Sequence, residues 1–262
     1  MNAVPDRPMK LRLGDAEVAR IGLGTNRLTN TPANVAFVEE AVAAGVGMID
    51  TAYTYTGGQS EETIGGALSP NGGHCVVATK GGGSGPGSGR PEILQAEIEE
   101  SLRRLGTESI GLYYLHRPDP ETPLEESLGA IKEHRDDGKI RQVGVSNVSI
   151  DELERARVVV PIAAVQNHYS LSERKHEAVV DYCERENIVF VPYFPLRDVG
   201  GRALVEIADR HGATPPQIAL AWLLRRSPMM FPIPGTLSLD HLKENLAALE
   251  IELTDEEFEA LR

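Results

Sequence analysis

The chain has 262 residues, of which 26 are basic and 39 acidic, giving a formal net charge of −13 at pH 7. Nucleic acid and anionic membranes repel such an acidic chain, so we expect neither as a partner. The composition, 41% apolar and 25% charged, is that of a globular protein, and we expect one domain over residues 1–262.

Targeting signals and metal-binding patterns are also missing from the sequence. No stretch approaches the roughly 20 apolar residues of a membrane span, and residues 1–7 lack the apolar run of a signal peptide. Cys75 and Cys183 are far apart and do not have the spacing of a thiolate metal site. The histidines and carboxylates show no metal-ligand spacing either. We therefore expect a cytoplasmic protein without a metal ion.

Short apolar runs alternate with amphipathic stretches along the chain. The apolar runs predict strands at residues 20–23, 46–50, 75–79, 110–116, 141–146, 164–167, 188–192 and 231–234. The amphipathic stretches predict helices at residues 33–44, 60–68, 91–105, 123–137, 149–158, 172–186, 214–227 and 239–249. Eight strands, each followed by a helix, predict an α/β fold in which parallel units close into a (β/α)8 TIM barrel.

Three further segments depart from this repeat. Residues 10–20 have the apolar pattern of a hairpin around Gly14, and we expect this N-terminal β-hairpin to cap the barrel bottom. Residues 202–211 predict an additional helix, and residues 254–261 predict a final one. Ser149 with Glu152 has the spacing of a capping box, which indicates where a helix begins.

Four polar residues lie at the ends of three successive predicted strands. Asp50 ends the second strand, Tyr55 lies on the loop after it, Lys80 follows the third and His116 ends the fourth. In such a barrel the strand ends share one face, and neighbouring strands are about 4.8 Å apart, so these side chains converge. A phenol is a weak acid at neutral pH, and a nearby ammonium strengthens it. Each residue alone also fits a structural role, but together they can deliver a proton to a carbonyl oxygen.

Motifs along nearly the whole chain resemble those of the aldo-keto reductase family, and they occur in the family's order. They are residues 49–55 (IDTAYTY), 60–61 (SE), 78–80 (ATK), 115–119 (LHRPD), 143–147 (VGVSN), 165–167 (VQN), 192–196 (PYFPL), and 234–236 (PGT) with 241–245 (HLKEN). The resemblance implies a (β/α)8 barrel that reduces an aldehyde or ketone to an alcohol. Segments 192–196 and 212–228 are similar to bacterial members that include pyridoxal reductases.

The resemblance also implies the roles of the four polar residues. Tyr55 is expected to be the general acid, assisted by Lys80, Asp50 and His116, with the Tyr55 hydroxyl next to the Lys80 ammonium. The hydride must come from a cofactor, because no side chain supplies one. We expect NADPH. NADH stays open as an alternative because His241 stands where many members carry arginine, and histidine is only partly charged at neutral pH.

Cofactor-binding residues follow from the same resemblance. The nicotinamide carboxamide is expected at Ser146, Asn147 and Gln166, and the ring against Tyr193. Further cofactor contacts are expected at Gly24, Thr25, Phe194, Leu196, Arg197, Gly235, Thr236, His241, Lys243, Glu244 and Asn245. Among these, Lys243 and its neighbours are expected on the adenine side, and Arg197 at the pyrophosphate.

Two other functions remain open on the sequence alone. Lys80 at a barrel strand end also suits a Schiff-base lyase. Some relatives in the family act mainly as regulatory subunits, so a non-catalytic sensor of nicotinamide nucleotides is a third reading. As partners we expect a small-molecule carbonyl substrate, and the chain as a monomer or weak oligomer.

Overall fold

The computed structural model describes residues 9–68 and 75–262. The first two elements of the described residues form the predicted hairpin, in which β1 (Lys10–Leu13) pairs antiparallel with β2 (Ala16–Ala19). Gly14 in the turn has a φ of 61°, a left-handed conformation that glycine adopts without steric strain. The prediction of an N-terminal hairpin is confirmed.

Seven parallel strands form most of the barrel wall, each paired with the next in chain order. They are β3 (Leu23–Gly24), β4 (Met48–Asp50), β5 (Val76–Gly81), β6 (Ile110–Leu115), β7 (Ile140–Ser146), β8 (Ile162–Gln166) and β9 (Val189–Phe190). The predicted strands overlap all seven of these. The largest shift is at β3, which begins three residues after the predicted start, at Leu23 rather than residue 20.

The eighth predicted strand, at residues 231–234, closes the barrel but does not form a regular strand. The N–H of Phe231 donates to Phe190 O on β9 at 2.8 Å, and the N–H of Gly22, just before β3, donates to Pro232 O at 3.0 Å. Pro232 and Pro234 have no N–H to donate. The segment therefore contacts both edges of the sheet, but its two prolines prevent a continuous ladder.

The hairpin caps the end of the barrel where the strands begin. Buried Leu11, Leu13 and Val18 pack into one apolar cluster with inward-facing side chains of the barrel wall. Gly47 directly precedes β4, and a Cβ there would lie 2.9 Å from a Val18 side-chain atom. The opposite end of the barrel, where the strands finish, is left open for a site, as in other barrels of this type.

The helices surround this wall. They are α1 (Pro32–Ala43), α2 (Gln59–Leu68), α3 (Pro91–Leu105), α4 (Leu124–Asp136), α5 (Ile150–Val159), α6 (Glu177–Arg185), α7 (Arg202–His211), α8 (Pro215–Arg226), α9 (Leu239–Ala247) and α10 (Asp255–Ala260). On α3, buried Leu94, Ile98 and Leu102 recur at helical spacing and face the wall. Within residues 9–68 and 75–262, no helix combines the length and apolarity that a membrane crossing requires.

Capping residues explain several helix boundaries. The Ser149 hydroxyl accepts from the Glu152 N–H and the Glu152 carboxylate accepts from the Ser149 N–H, so the predicted capping box at the start of α5 is confirmed. Helix α6 begins at Glu177 rather than at the predicted residue 172. The Ser170 hydroxyl accepts from the N–H of Glu173 at 3.1 Å, and this local turn replaces the first helical turn that the apolar pattern predicted.

Candidate active site

A cavity of about 790 Å³ opens where the barrel strands end. This volume is within the range of about 300–1,000 Å³ that is typical of small-molecule and cofactor sites. Of the residues that the sequence pointed to, it is lined by Gly24, Thr25, Asp50, Tyr55, His116, Ser146, Asn147, Gln166, Tyr193, Phe194, Leu196, Arg197 and Gly235. These residues come from segments spread over more than 200 positions, and the fold brings them to one mouth.

The floor of the cavity contains a buried ion pair. Lys80, in β5, donates from Nζ to Asp50 Oδ1 and to the Thr51 carbonyl, both at 2.6 Å, and its side chain has no solvent exposure. The second Asp50 oxygen accepts from Gln166 Nε2 at 2.7 Å. Burial lowers the pKa of Lys80, but the attraction of Asp50 and then of Tyr55 outweighs it, so the pKa is raised above its ordinary value. Lys80 is therefore a fixed cation just beneath the cavity.

Tyr55 is the neighbour of this cation on the cavity side. The Lys80 ammonium lies 4.9 Å from the centre of the Tyr55 ring, and the Tyr55 hydroxyl contributes to the raised pKa of Lys80. Tyr55 begins a short 3₁₀ helix, Tyr55–Gly58, in which Thr56 has a φ of 50°. The Thr56 hydroxyl donates to Leu28 O at 2.7 Å, which ties this turn to the segment after β3. The expected proximity of Tyr55 and Lys80 is present.

His116 lies across the cavity from this pair. Its ring centre is 6.1 Å from that of Tyr55, in an edge-to-face arrangement. Burial, with the nearby charges of Lys80 and Arg117, lowers the pKa of His116 to about 3, so the imidazole is neutral at pH 7. Its Nδ1 is buried and has no hydrogen-bond partner within the described ranges. The ring packs against Gly83, where a Cβ would lie 2.4 Å from Nδ1.

The predicted carboxamide residues form one hydrogen-bonded group at the ends of β7 and β8. Asn147 has a φ of 61°, and its Nδ2 donates to His116 O and to Ser146 Oγ, each at 3.0 Å. Ser146 Oγ in turn donates to the Gln166 carbonyl at 2.7 Å. Both Asn147 Nδ2 protons are used within the protein, so its Oδ1 is the atom of that amide that can accept from a ligand.

Tyr193 presents an aromatic surface on the same side of the cavity. Its hydroxyl donates to Asn147 Oδ1 at 2.8 Å. One face of its ring is stacked on His168, with ring centres 5.2 Å apart and planes 10° from parallel. The Phe194 ring contacts the Tyr193 ring in an edge-to-face arrangement, with ring centres 5.3 Å apart. Because the hydroxyl and one face are both held, the Tyr193 ring is fixed before any ligand binds.

A second buried polar network supports the segment that carries Tyr55. Arg104, from α3, donates from Nη1 to Tyr53 O at 3.0 Å and to Glu61 Oε2 at 3.2 Å, and its guanidinium carbon lies 4.5 Å from the Tyr53 ring centre. Glu61 Oε1 accepts from the Thr79 hydroxyl at 2.6 Å, next to Lys80 in the chain. The network therefore joins the strand of Lys80 to the loop of Tyr55.

Some residues implied by the resemblance do not line the cavity. They are Lys80, which lies beneath the floor, together with Thr236, His241, Lys243, Glu244 and Asn245. His241, Lys243 and Glu244 are exposed on α9, and Asn245 is buried. The hydroxyl of Ser238 accepts from the His241 N–H at 3.3 Å and so caps this helix. Adenine binding by this group stays a prediction.

The cavity is also lined by residues that sequence reasoning did not select. They are Asn26, Arg27, Arg117, Pro195, Ile233 and Pro234. Each is within two positions of a selected residue, and Arg117, Pro195 and Pro234 belong to the family-like motifs, so position in or beside a motif was the available signal. That signal does not say which neighbours face the cavity.

Comparisons with known proteins agree with this fold. A sequence model of the Aldo/keto reductase family matches residues 20–201 and 199–262. An uncharacterized oxidoreductase of Schizosaccharomyces pombe is 37% identical, covering 96% of this chain and 88% of its own length. Pyridoxine 4-dehydrogenase of Escherichia coli is 33% identical, over 93% of this chain and 94% of its own.

A solved structure extends the similarity to three dimensions. An aldo-keto reductase from Klebsiella pneumoniae in complex with NADPH has a TM-score of 0.88 to this chain at 30% identity, covering 96% of this chain and 93% of that one. The chain belongs to the aldo/keto reductase family and has its TIM-barrel fold.

Proposed function

We propose that this protein reduces an aldehyde or ketone to an alcohol with NADPH, and that Tyr55 donates the proton to the carbonyl oxygen. The observation that carries the proposal is the Lys80 cation, fully buried and 4.9 Å from the Tyr55 ring centre at the floor of the cavity. Family membership and the NADPH complex of the Klebsiella pneumoniae relative support the choice of chemistry and cofactor.

The residues around the cavity fit a nicotinamide nucleotide. Tyr193 offers one face of a fixed ring for stacking, and Asn147 Oδ1 is placed to accept from a carboxamide. Gly24 and Gly235 bring two backbones together, since a Cβ on Gly235 would lie 3.4 Å from Gly24 O. When bound, NADPH supplies the hydride that no side chain can provide.

The charged and polar groups around the cavity have separate roles in the proposed proton transfer. Lys80 holds positive charge beside the Tyr55 phenol, which favours loss of the phenol proton as negative charge grows on the substrate oxygen. Asp50 keeps Lys80 charged and oriented. His116, neutral at pH 7 because its pKa is lowered to about 3, can donate a hydrogen bond to the same oxygen without competing as an acid.

The geometry disfavours the Schiff-base lyase. A lysine nucleophile must be neutral and reachable by a substrate carbonyl. Lys80 has no exposed surface, its pKa is raised, and two of its three protons are donated to Asp50 and Thr51. Borohydride reduction in the presence of an aldehyde is therefore expected to trap no adduct on Lys80.

Replacing Tyr55 with phenylalanine tests the proposal. We expect Tyr55→Phe to lower kcat/KM for 4-nitrobenzaldehyde with NADPH by about 10²–10⁴-fold, because the proton donor is removed. Quenching of protein fluorescence by NADPH should stay the same, since the aromatic and amide contacts remain. The matched control is Tyr53→Phe, which removes a hydroxyl two positions away in the same loop and should change kcat/KM less than about threefold.

Two results would contradict the proposed function. If Tyr55→Phe turns over the aldehyde as fast as the wild type, Tyr55 is not the proton donor. If the wild-type protein binds NADPH but reduces none of a panel of aldehydes, ketones and quinones, a sensing role is favoured instead.

A further inference from the structure

Most of the charged residues around the cavity are basic. Arg27, Arg117 and Arg197 line it, and Asp50 is the one acidic residue in the lining. The Asp50 charge is balanced by Lys80 at 2.6 Å, so no unpaired acidic residue of the lining neutralises the positive charge of the arginines. This local excess of positive charge stands out in a chain whose net charge is −13.

Among the three arginines, Arg117 is the one that adjoins a proposed reacting residue in the chain. It directly follows His116 in the chain. Its positive charge helps to lower the pKa of His116, and it opposes the rise in the pKa of Tyr193 that burial causes. Those two side chains flank the position that the proposed carbonyl substrate must occupy, between Tyr55 and the nicotinamide ring of the cofactor on Tyr193. The positive charge of Arg117 therefore acts on a substrate at that position.

Arg117 has no acidic partner of its own. It is exposed and makes no ion pair or hydrogen bond with any residue in the part of the chain that the structure describes. Arg197, by contrast, lies 3.8 Å from Asp198, at the far side of the cavity next to Leu196. A guanidinium that lines a ligand cavity without a protein partner is available for a carboxylate or a phosphate.

The other groups near the substrate position cannot supply this charge. His116 is neutral at pH 7, since its pKa is lowered to about 3, and the Lys80 charge is already paired with Asp50. Arg27 also lines the cavity without an ion pair among the described residues, but Arg117 is the one that adjoins His116, so a negatively charged group on the substrate would meet an uncompensated cation beside the reacting groups at Arg117. The acidic exterior would at the same time direct anions toward the cavity mouth rather than elsewhere on the surface.

We propose that the substrate of this site is a carbonyl compound that carries an anionic group, a carboxylate or a phosphate, and that Arg117 binds that group. This inference rests on the proposed carbonyl reduction and names its substrate class. Arg117 is then a specificity-determining residue that acts on charge and leaves the proton transfer itself to Tyr55.

Pairs of substrates that differ in one anionic group test the inference. The carboxylate pair is 4-formylbenzoate and its methyl ester, and the phosphate pair is glyceraldehyde 3-phosphate and glyceraldehyde. For wild-type protein with NADPH, we expect kcat/KM to favour the anionic member of at least one pair by about 5- to 20-fold. Which pair shows the preference distinguishes a carboxylate substrate from a phosphorylated one.

Variants then assign the preference to Arg117. Arg117→Gln should reduce the ratio to about one by lowering kcat/KM for the anionic member more than for the neutral member, whereas Arg117→Lys should keep part of the ratio. The control Arg12→Gln removes the same charge from an exposed position in β1, at the opposite end of the barrel, and should leave the ratio unchanged. Raising the salt concentration from 0.05 to 0.5 M should weaken the preference in the wild type.

The outcomes separate this inference from the proposed function. If the wild type turns over both members of each pair equally, or if Arg117→Gln keeps the preference, the inference is overturned while carbonyl reduction stands. If neither pair nor 4-nitrobenzaldehyde is reduced at all, the proposed function itself fails. A higher KM for NADPH in Arg117→Gln, without loss of the substrate ratio, would place Arg117 on the cofactor and also overturn the inference.

Discussion

At the floor of the cavity, Asp50, Lys80 and Gln166 come from three strands and bind one another at 2.6–2.7 Å in full burial. His241 and Lys243, which the family resemblance assigns to the adenine side, are instead exposed on the single helix α9. The floor is assembled by the protein before any ligand arrives, whereas His241 and Lys243 are exposed to solvent. Proton transfer requires the first arrangement, while affinity for a charged nucleotide tolerates the second.

This contrast separates two kinds of mutational effect. Changes at the floor are expected to lower kcat and the free energy of unfolding together, because the same buried contacts serve both. Changes on α9 are expected to alter cofactor affinity alone. The following experiments test that separation, from the largest expected effect to the smallest.

The largest effect is expected for Lys80→Met. Removing the ammonium leaves the Asp50 carboxylate buried without its cation, so the free energy of unfolding should fall by about 3–5 kcal/mol. Loss of the charge beside Tyr55 should lower kcat/KM by about 10²–10⁴-fold. Urea denaturation and steady-state kinetics measure the two quantities.

Two further variants serve as controls for the Lys80→Met result. Lys132→Met removes a half-exposed lysine of α4 that is paired with Asp136, and should change stability by no more than about 1 kcal/mol. The double variant Asp50→Asn with Lys80→Met should recover part of the stability, because no unpaired charge remains. Equal stability of Lys80→Met and wild type would show that the floor is not held by this ion pair.

A smaller effect is expected for Arg104→Met, which breaks the support behind Tyr55. The side chain is 13% exposed and bonds to Tyr53 O and Glu61, so we expect a loss of about 1.5–3 kcal/mol in unfolding free energy. Displacement of the Tyr55 loop should lower kcat by roughly 10- to 100-fold with little change in KM.

The neighbouring Arg103→Met is the matched control for Arg104. Arg103 is 67% exposed and pairs only with Glu100 among the residues in the structure's described ranges, so its loss should leave both stability and kcat close to wild type. If both variants behave alike, the network does not position the loop.

The lowered pKa of His116 predicts a dependence of stability on pH. Between about pH 3 and 6.5 the unfolded chain binds a proton at His116 that the folded chain does not, so the wild type loses stability as the pH falls through this window. In His116→Asn this contribution is absent. The stability difference between wild type and variant should therefore shrink by up to about 1.4 kcal/mol per pH unit as the pH is lowered from 6.5.

Thermal or urea unfolding at pH 7.5, 6.5, 5.5 and 4.5 measures this slope for both proteins. Stability curves that stay parallel across the window would mean that His116 titrates alike in the folded and unfolded states. A second consequence concerns the pH profile of kcat/KM. His116 should contribute no ionisation near pH 6.5, so the profiles of wild type and His116→Asn should show the same ionisations in that range.

The smallest effect is expected on α9. His241→Arg replaces an imidazole with a guanidinium, which is a permanent cation, so KM for NADPH should fall by about three- to tenfold. KM for NADH, which lacks the 2′-phosphate, and kcat with either cofactor should not change. A fall in both KM values, or a change in kcat, would contradict an adenine-side position for His241.

Much of the fold could be predicted because its signals are local. The predicted strands overlap β3 to β9, and the helices at residues 91–105 and 202–211 match α3 and α7 at both ends. Where the prediction and the structure differ, the cause is also identifiable. Two prolines interrupt the last strand of the barrel, and the turn at Ser170 delays the start of α6.

The candidate site was predictable only in part. The motif residues that follow strand ends were expected at one mouth, and most of them line the cavity. Nothing in the sequence indicated that Arg104 supports the Tyr55 loop from α3, or that Asp119 accepts from the N–H groups of Gly87 and Gly89 at 2.9 Å and so anchors the loop after β5. These contacts depend on how neighbouring helices and loops pack, which the local pattern does not contain.

The order of strands and helices, the hairpin and the identity of the proposed reacting side chains were determined by the sequence, because apolar periodicity and strand-end position act over a few residues. Tertiary structure alone decided the charge states of those side chains and which charges face the substrate. Gln166 and Asp50, 116 positions apart, meet in the floor, and the neutral state of His116 follows from burial and two cations. Burial and Coulomb forces depend on distance in space, and only the closed barrel sets those distances.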